Sequence, residues 1–140
     1  MFVFSLFLAD QISKQIIIRW LPENGSVPVV PGLFYVTRVN NTGAAFGLFR
    51  GAGPFLILVT MVSVTVLSFF LAQNWEKIRP AQRWGWTLVI GGALGNLYDR
   101  LMHRYVIDFL DFRVWPVFNL ADSFVCVGVF LVIFSALRNR

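Results

Sequence analysis

The sequence predicts an all-α membrane protein: one domain of 140 residues, with four transmembrane helices and short strands in a connection. Three observations carry that prediction. Hydrophobic residues make up 57% of the chain and charged residues 14%, against about 25% charged in soluble domains, and mean hydropathy is +0.69. Four apolar segments recur along the chain, near the length of roughly 20 residues that a spanning helix needs. Trp75, Trp84 and Trp86 bracket the connection between the second and third segments, as amphipathic rings do at the headgroup level.

The first predicted span covers residues 1–21 and is interrupted by Asp10, Lys14 and Arg19. It has no basic leader and no small-residue cleavage site after the apolar run, so it reads as a retained helix rather than a cleaved signal peptide. Residues 22–50 follow, and "SVPVVPGLFYVTRV" there, with Pro, Gly and β-branched residues, predicts short strands. The second span, 53–74, lies in a stretch uncharged from Gly51 to Trp75. The polar loop "EKIRPAQR" then closes a tight hairpin into the third span, 84–101. A second long connection contains "RYVIDFLDFRVWP", and the fourth span, 117–137, holds a single acid, Asp122.

With four spans, both termini share a side with the hairpin loop, and the two long connections share the other. Basic residues do not choose between the sides: Lys77, Arg79, Arg83, Arg138 and Arg140 stand against Arg38, Arg50, Arg100, Arg104 and Arg113 in equal number. Their density in the short hairpin loop tilts the choice toward cytoplasmic termini.

The formal charge of +5 does not imply nucleic acid, because the basic residues are scattered singly and form no stripe. Loops that contact anionic membrane lipids account for the same charge. The single cysteine, Cys126, allows no internal disulfide, and one histidine, His103, offers no zinc set. No metal site is expected.

Polar groups inside apolar segments usually mark function, and here they form five clusters. "DQISK" sets Asp10 and Lys14 one turn apart, either as an ion pair that makes the first span tolerable or as a functional pair. "NNTGAAFG" combines Asn41 with Gly43 and Gly47, either as an ordinary turn or as a close backbone approach to something bound. "GGALGNLYDR" carries Gly91, Gly92 and Gly95, which suit tight helix packing, followed by Asn96, Asp99 and Arg100 on one face. Packing explains the glycines but not Asn96. "VIDFLDF" supplies Asp108 and Asp111, and "FNLADS" supplies Asn119 and Asp122. Asp111 reads as a solvated loop acid; Asp122, flanked by apolar residues on both sides, does not.

The chemistry that remains is that of carboxylates. Serine catalysis is disfavoured, since Lys77 lies across from the acids and Lys14 is placed to pair with Asp10. Two carboxyls in a poorly hydrated site cannot both ionise easily and share a proton. The ionised one can activate water while the protonated one donates to a carbonyl oxygen. Asp108 and Asp122 are the most apolar-flanked candidates. Two rival readings use the same residues: a small proton-coupled transporter, for which the acids lie too close to one end of the spans, and a non-catalytic assembly factor.

The five clusters, in this order from Asp10 to Ser123, resemble the lipoprotein signal peptidase (signal peptidase II) family. The resemblance implies an aspartic endopeptidase of the bacterial inner membrane, with both termini cytoplasmic, a small extracytoplasmic β-sheet and a site near the outer face. It implies removal of the signal peptide from a diacylglyceryl-modified prolipoprotein, cleaved just before the lipidated cysteine. It places the catalytic pair on Asp108 and Asp122. Asn41, Gly43, Asn96, Asp99, Arg100 and Asn119 become supporting or substrate-binding positions, and Asp10 and Lys14 structural ones. It implies no metal and no organic cofactor, and the expected state is a monomer in contact with membrane lipids, without nucleic acid.

Overall fold

The structure, a computed structural model, describes residues 2–43 and 51–138. Residues 44–47 of "NNTGAAFG", and Arg50 and Arg140 from the charge comparison, lie outside the described residues. The chain is mostly helical with one three-stranded antiparallel sheet. Its elements run α1 (Phe2–Trp20), β1 (Ser26–Val30), β2 (Phe34–Asn41), α2 (Gly53–Asn74), α3 (Pro80–His103), β3 (Val106–Asp111) and α4 (Leu120–Leu137), with a 3-10 turn at Trp75–Lys77 between α2 and α3.

Among the described residues, two helical stretches, Gly53–Lys77 and Leu120–Leu137, are long and apolar enough to cross a membrane. α2 is apolar on every side and leaves Phe55, Leu58, Val62, Val66 and Phe69 exposed. Such a helix is stable only in an apolar surrounding. α1 and α3 are less apolar because they carry the polar clusters, and they turn those clusters inward: Asp10, Lys14 and Asp99 are fully buried.

α3 is the central helix and packs on α1, α2 and α4. Its glycines make that approach possible. A methyl group on Gly91 would stand 2.9 Å from the Leu6 side chain of α1, and one on Gly92 would collide with the backbone oxygen of Ala121 in α4. Gly85 and Gly128 meet where α3 crosses α4, and a methyl on Gly85 would come within 2.7 Å of the Gly128 oxygen. The small-residue pattern therefore sets helix contact, as the sequence indicates. α3 starts at Pro80, where a missing N–H costs nothing. It stops at Arg104, whose left-handed φ of 66° directs its N–H back to the Arg100 carbonyl.

The sheet has the order β1-β2-β3. β1 is an edge strand, which accommodates Pro28; it pairs Ser26 with Thr37 and Val27 with Val36. β2 pairs with β3, a strand the sequence reading did not foresee, setting Val39 opposite Asp108 and Asn41 opposite Val106. β3 directly follows α3, and Arg38 of β2 donates to the Ile18 and Leu21 carbonyls at the end of α1. The sheet therefore sits at the end of the bundle where α1 and α3 finish and α4 begins.

Candidate active site

At that end the polar clusters converge. α4 opens with a capping box: the Asn119 side chain accepts from the Asp122 N–H at 2.9 Å, and the Asp122 carboxylate accepts from the Asn119 N–H at 3.2 Å. A third helix-start donor, the Ala121 N–H, reaches Asp10 of α1 at 3.0 Å. A carboxylate at a helix N-terminus is electrostatically favoured. Local sequence thus places Asp122 in the first turn of α4, and α1 holds that turn in position.

Asp108 comes from β3. Asn119 donates to one of its oxygens at 2.7 Å and Asn41 to the other at 2.9 Å. Asn119, fully buried, therefore serves Asp108 with its NH₂ and Asp122 with its oxygen. Asn96 of α3 donates to Asp122 at 2.7 Å, and its own oxygen accepts from Asn119 at 3.0 Å and from Lys14 at 3.1 Å. The Gly43 N–H donates to the Asn41 oxygen, and the Gly43 carbonyl accepts from Arg100.

Asp108 is 2% exposed. Burial, followed by the neighbouring Asp122 charge, pushes its pKa up from 3.8 to about 7, while hydrogen bonds from Asn41 and Asn119 and the Lys14 charge oppose the rise. Near neutrality Asp108 thus holds a proton beside another carboxyl group. Both acids line one cavity of about 660 Å³, with Asn41, Asn96 and Arg100 on its polar side. Val106, Phe112, Trp115, Val117 and Phe118 give it an apolar wall. A peptide flanked by apolar residues fits such a space.

The structure divides the anticipated residues into two groups. Asn41, Gly43, Asn96, Arg100, Asp108, Asn119 and Asp122 form one connected network. Asp10, Lys14 and Asp99 form a second, buried beneath it: Lys14 lies 2.8 Å from each acid. Asp99 belongs to this ion cluster, and also accepts from the Ile107 N–H at the start of β3. Asp111, expected in solvent, is instead 5% exposed. Thr37 and the Arg113 N–H donate to it at 2.7 and 2.9 Å, because the sheet folds its end over that side chain. Gln11 was not anticipated. It donates to Asp99 at 2.9 Å and to Asp10 at 3.2 Å, and its position inside "DQISK" was the available signal. Cys126 lines the cavity one helical turn beyond Asp122.

Two carboxyl groups joined through one asparagine, one of them holding a proton near neutrality, line a cavity among apolar helices, an arrangement suited to the chemistry of paired carboxylates in a membrane protein. Comparison with known proteins narrows that description. Residues 2–138 match the family model described as Signal peptidase (SPase) II. The chain is 42% identical to the lipoprotein signal peptidase of Pelotomaculum thermopropionicum, across 96% of this chain and 88% of that protein. It is 39% identical to the lipoprotein signal peptidase of Fusobacterium nucleatum, across 91% and 79%. A solved structure, described as a bacterial membrane enzyme at 2.3 Å resolution, superposes with a TM-score of 0.90 at 29% identity, covering 99% of this chain and 86% of that one. The chain belongs to the signal peptidase II family.

Proposed function

We propose that Asp108 and Asp122 are the catalytic pair with which this chain performs the reaction of its family. The protein is a protease that removes the signal peptide from prolipoproteins. The observation that carries the assignment is the shared environment of the two acids: one cavity, one bridging asparagine, and a proton held on Asp108 to about pH 7.

In this reading the substrate is a prolipoprotein whose cysteine already carries diacylglycerol, cut on the N-terminal side of that cysteine. The acyl chains stay in lipid, and the peptide lies against the apolar wall of Phe112, Trp115 and Phe118. Asp122 takes a proton from water as the water oxygen attacks the scissile carbonyl carbon. Asp108 gives its proton to the carbonyl oxygen, so no full oxyanion forms. Collapse of the tetrahedral intermediate breaks the C–N bond. The leaving nitrogen takes the proton from Asp122, and the new carboxyl hydroxyl returns one to Asp108. Asn41, Asn96, Arg100 and Asn119 hold the acids in place or bind peptide carbonyls, and Gly43 lets the backbone approach.

The whole chain, residues 1–140, forms one membrane domain, with spans near 1–21, 53–74, 84–101 and 117–137, as a monomer surrounded by lipid. It lies in the bacterial inner membrane with both termini cytoplasmic. Two features support this orientation: Arg79 and Arg83 lie by the short hairpin at the opposite end from the sheet, and the paired acids stand beside the sheet, where water and the exported part of a substrate meet. Asp108→Asn and Asp122→Asn are each expected to insert normally and to lose cleavage of a diacylglyceryl-modified precursor. Cleavage at the wild-type rate by either variant would remove it from the catalytic pair.

A further inference from the structure

Lys14 is fully buried, carries a charge and lies outside the cavity. Neutralising Asp10 and Asp99 explains its ion pairs but not its third contact, to the oxygen of Asn96.

An asparagine side chain has an oxygen end that only accepts and a nitrogen end that only donates, with almost identical shapes. Which end faces a neighbour is set by the rest of its contacts. The Asn96 oxygen receives two groups that can only donate, the Lys14 ammonium and the Asn119 NH₂. With the oxygen so occupied, the nitrogen must face Asp122, which it does at 2.7 Å. Reversed, the amide would set its oxygen against a carboxylate and its NH₂ against both an ammonium and the Asn119 NH₂, three repulsive contacts in place of three hydrogen bonds.

We propose that Lys14 is a positioning residue for Asp122: together with the Asn119 NH₂ it holds the oxygen of Asn96 and so keeps that amide turned to stabilise the carboxylate that activates water. The proposal rests on Asp108 and Asp122 being the catalytic pair. Asp10 and Asp99 face Lys14 from α1 and α3 and fix its ammonium. Among the described residues, Asp108 of β3 and Arg100 of α3 are titratable groups that act electrostatically on Asp122. Arg100 adds positive charge but makes no contact with Asn96 in the network above, so it cannot replace Lys14 in setting the amide's direction.

The test uses the full chain in lipid nanodiscs with ¹⁵N-labelled asparagine side chains, Asn96 being identified by the signal lost in Asn96→Ala. A proton donated to a carboxylate resonates downfield, and Lys14→Met, which leaves the Asn96 oxygen to the Asn119 NH₂, is expected to reduce that displacement for Asn96. On a synthetic diacylglyceryl-modified peptide, kcat falls about 10- to 100-fold with KM unchanged, the value of one hydrogen bond to a charged acceptor. In an Asn96→Ala background Lys14→Met causes no further loss, because its route to Asp122 is already gone.

Lys14→Met leaves two buried acids unpaired. Lys14→Met with Asp99→Asn keeps the native net charge of the cluster and serves if the single variant fails to fold, with Asp99→Asn alone as its control. An unchanged Asn96 signal overturns the proposal, and so does an equal loss of kcat with and without Asn96. If Asp122→Asn still cleaves, the catalytic assignment fails instead, while the Asn96 signal reports the amide orientation independently.

Discussion

Asn119 shows how much one side chain can settle at the residue scale. It caps α4, bridges the two acids and braces Asn96. Replacing it with Ala is expected to lower stability by about 1 kcal/mol as a lost cap, and to reduce kcat far more than that figure implies, since Asp108 loses a donor and the turn that carries Asp122 loses its cap. Asp108 sets the pH response. It keeps its proton to about pH 7 in the folded chain, against 3.8 for the free group. Folding therefore takes up a proton between these values. The stability this contributes is complete below 3.8 and lost as pH rises through 7. The Tm of the wild type should fall more steeply between pH 5 and 8 than that of Asp108→Asn. In the proposed mechanism the protonated acid donates to the carbonyl, so kcat/KM should likewise decline as pH rises through about 7, a limb that belongs to the coupled pair.

At the scale of elements, the α3–α4 contact ties packing to geometry. Gly85 and Gly92 both touch α4 backbone, but Gly85 meets Gly128, remote from the site, whereas Gly92 meets Ala121, the residue before Asp122. Ala at either position should cost about 1–3 kcal/mol through overpacking. Only Gly92→Ala should also depress kcat, because moving Ala121 moves Asp122. Thermal unfolding and kcat measured on both variants check this; equal activity in the two would mean that the site does not depend specifically on the position of that turn. The second element of consequence is β3. Its residues are the most buried stretch of the sheet, with Ile107 at 1% and Val106 at 2% exposure, so Asp108 is carried on a firmly held strand rather than on a loose loop.

For the whole molecule, the polar interior and apolar exterior invert the arrangement of a soluble globule. Buried charges are concentrated where α1, α3 and α4 meet, and α2 supplies apolar surface. Orientation can be tested directly. With Cys126→Ser as background, a cysteine at Val114, which is 91% exposed beside the cavity, should react with an impermeant maleimide added outside intact spheroplasts. A cysteine at Lys77 should react only after lysis. The reverse pattern would invert the proposed topology.

The sequence by itself determined the apolar character of the helices, the small-residue face of α3 and the identity of the polar clusters, because composition, spacing and residue type are local properties. It paired Asp10 with Lys14, since one turn of helix brings them together. Only the tertiary structure decided that Lys14 also holds Asp99 and Asn96, that Asp111 is buried, that "VIDFLD" is the third strand, and that Asn119 joins Asp108 to Asp122. Those facts depend on which helix lies beside which and on strand register. Groups distant in sequence acquire one environment only when the packed core brings them within hydrogen-bonding distance.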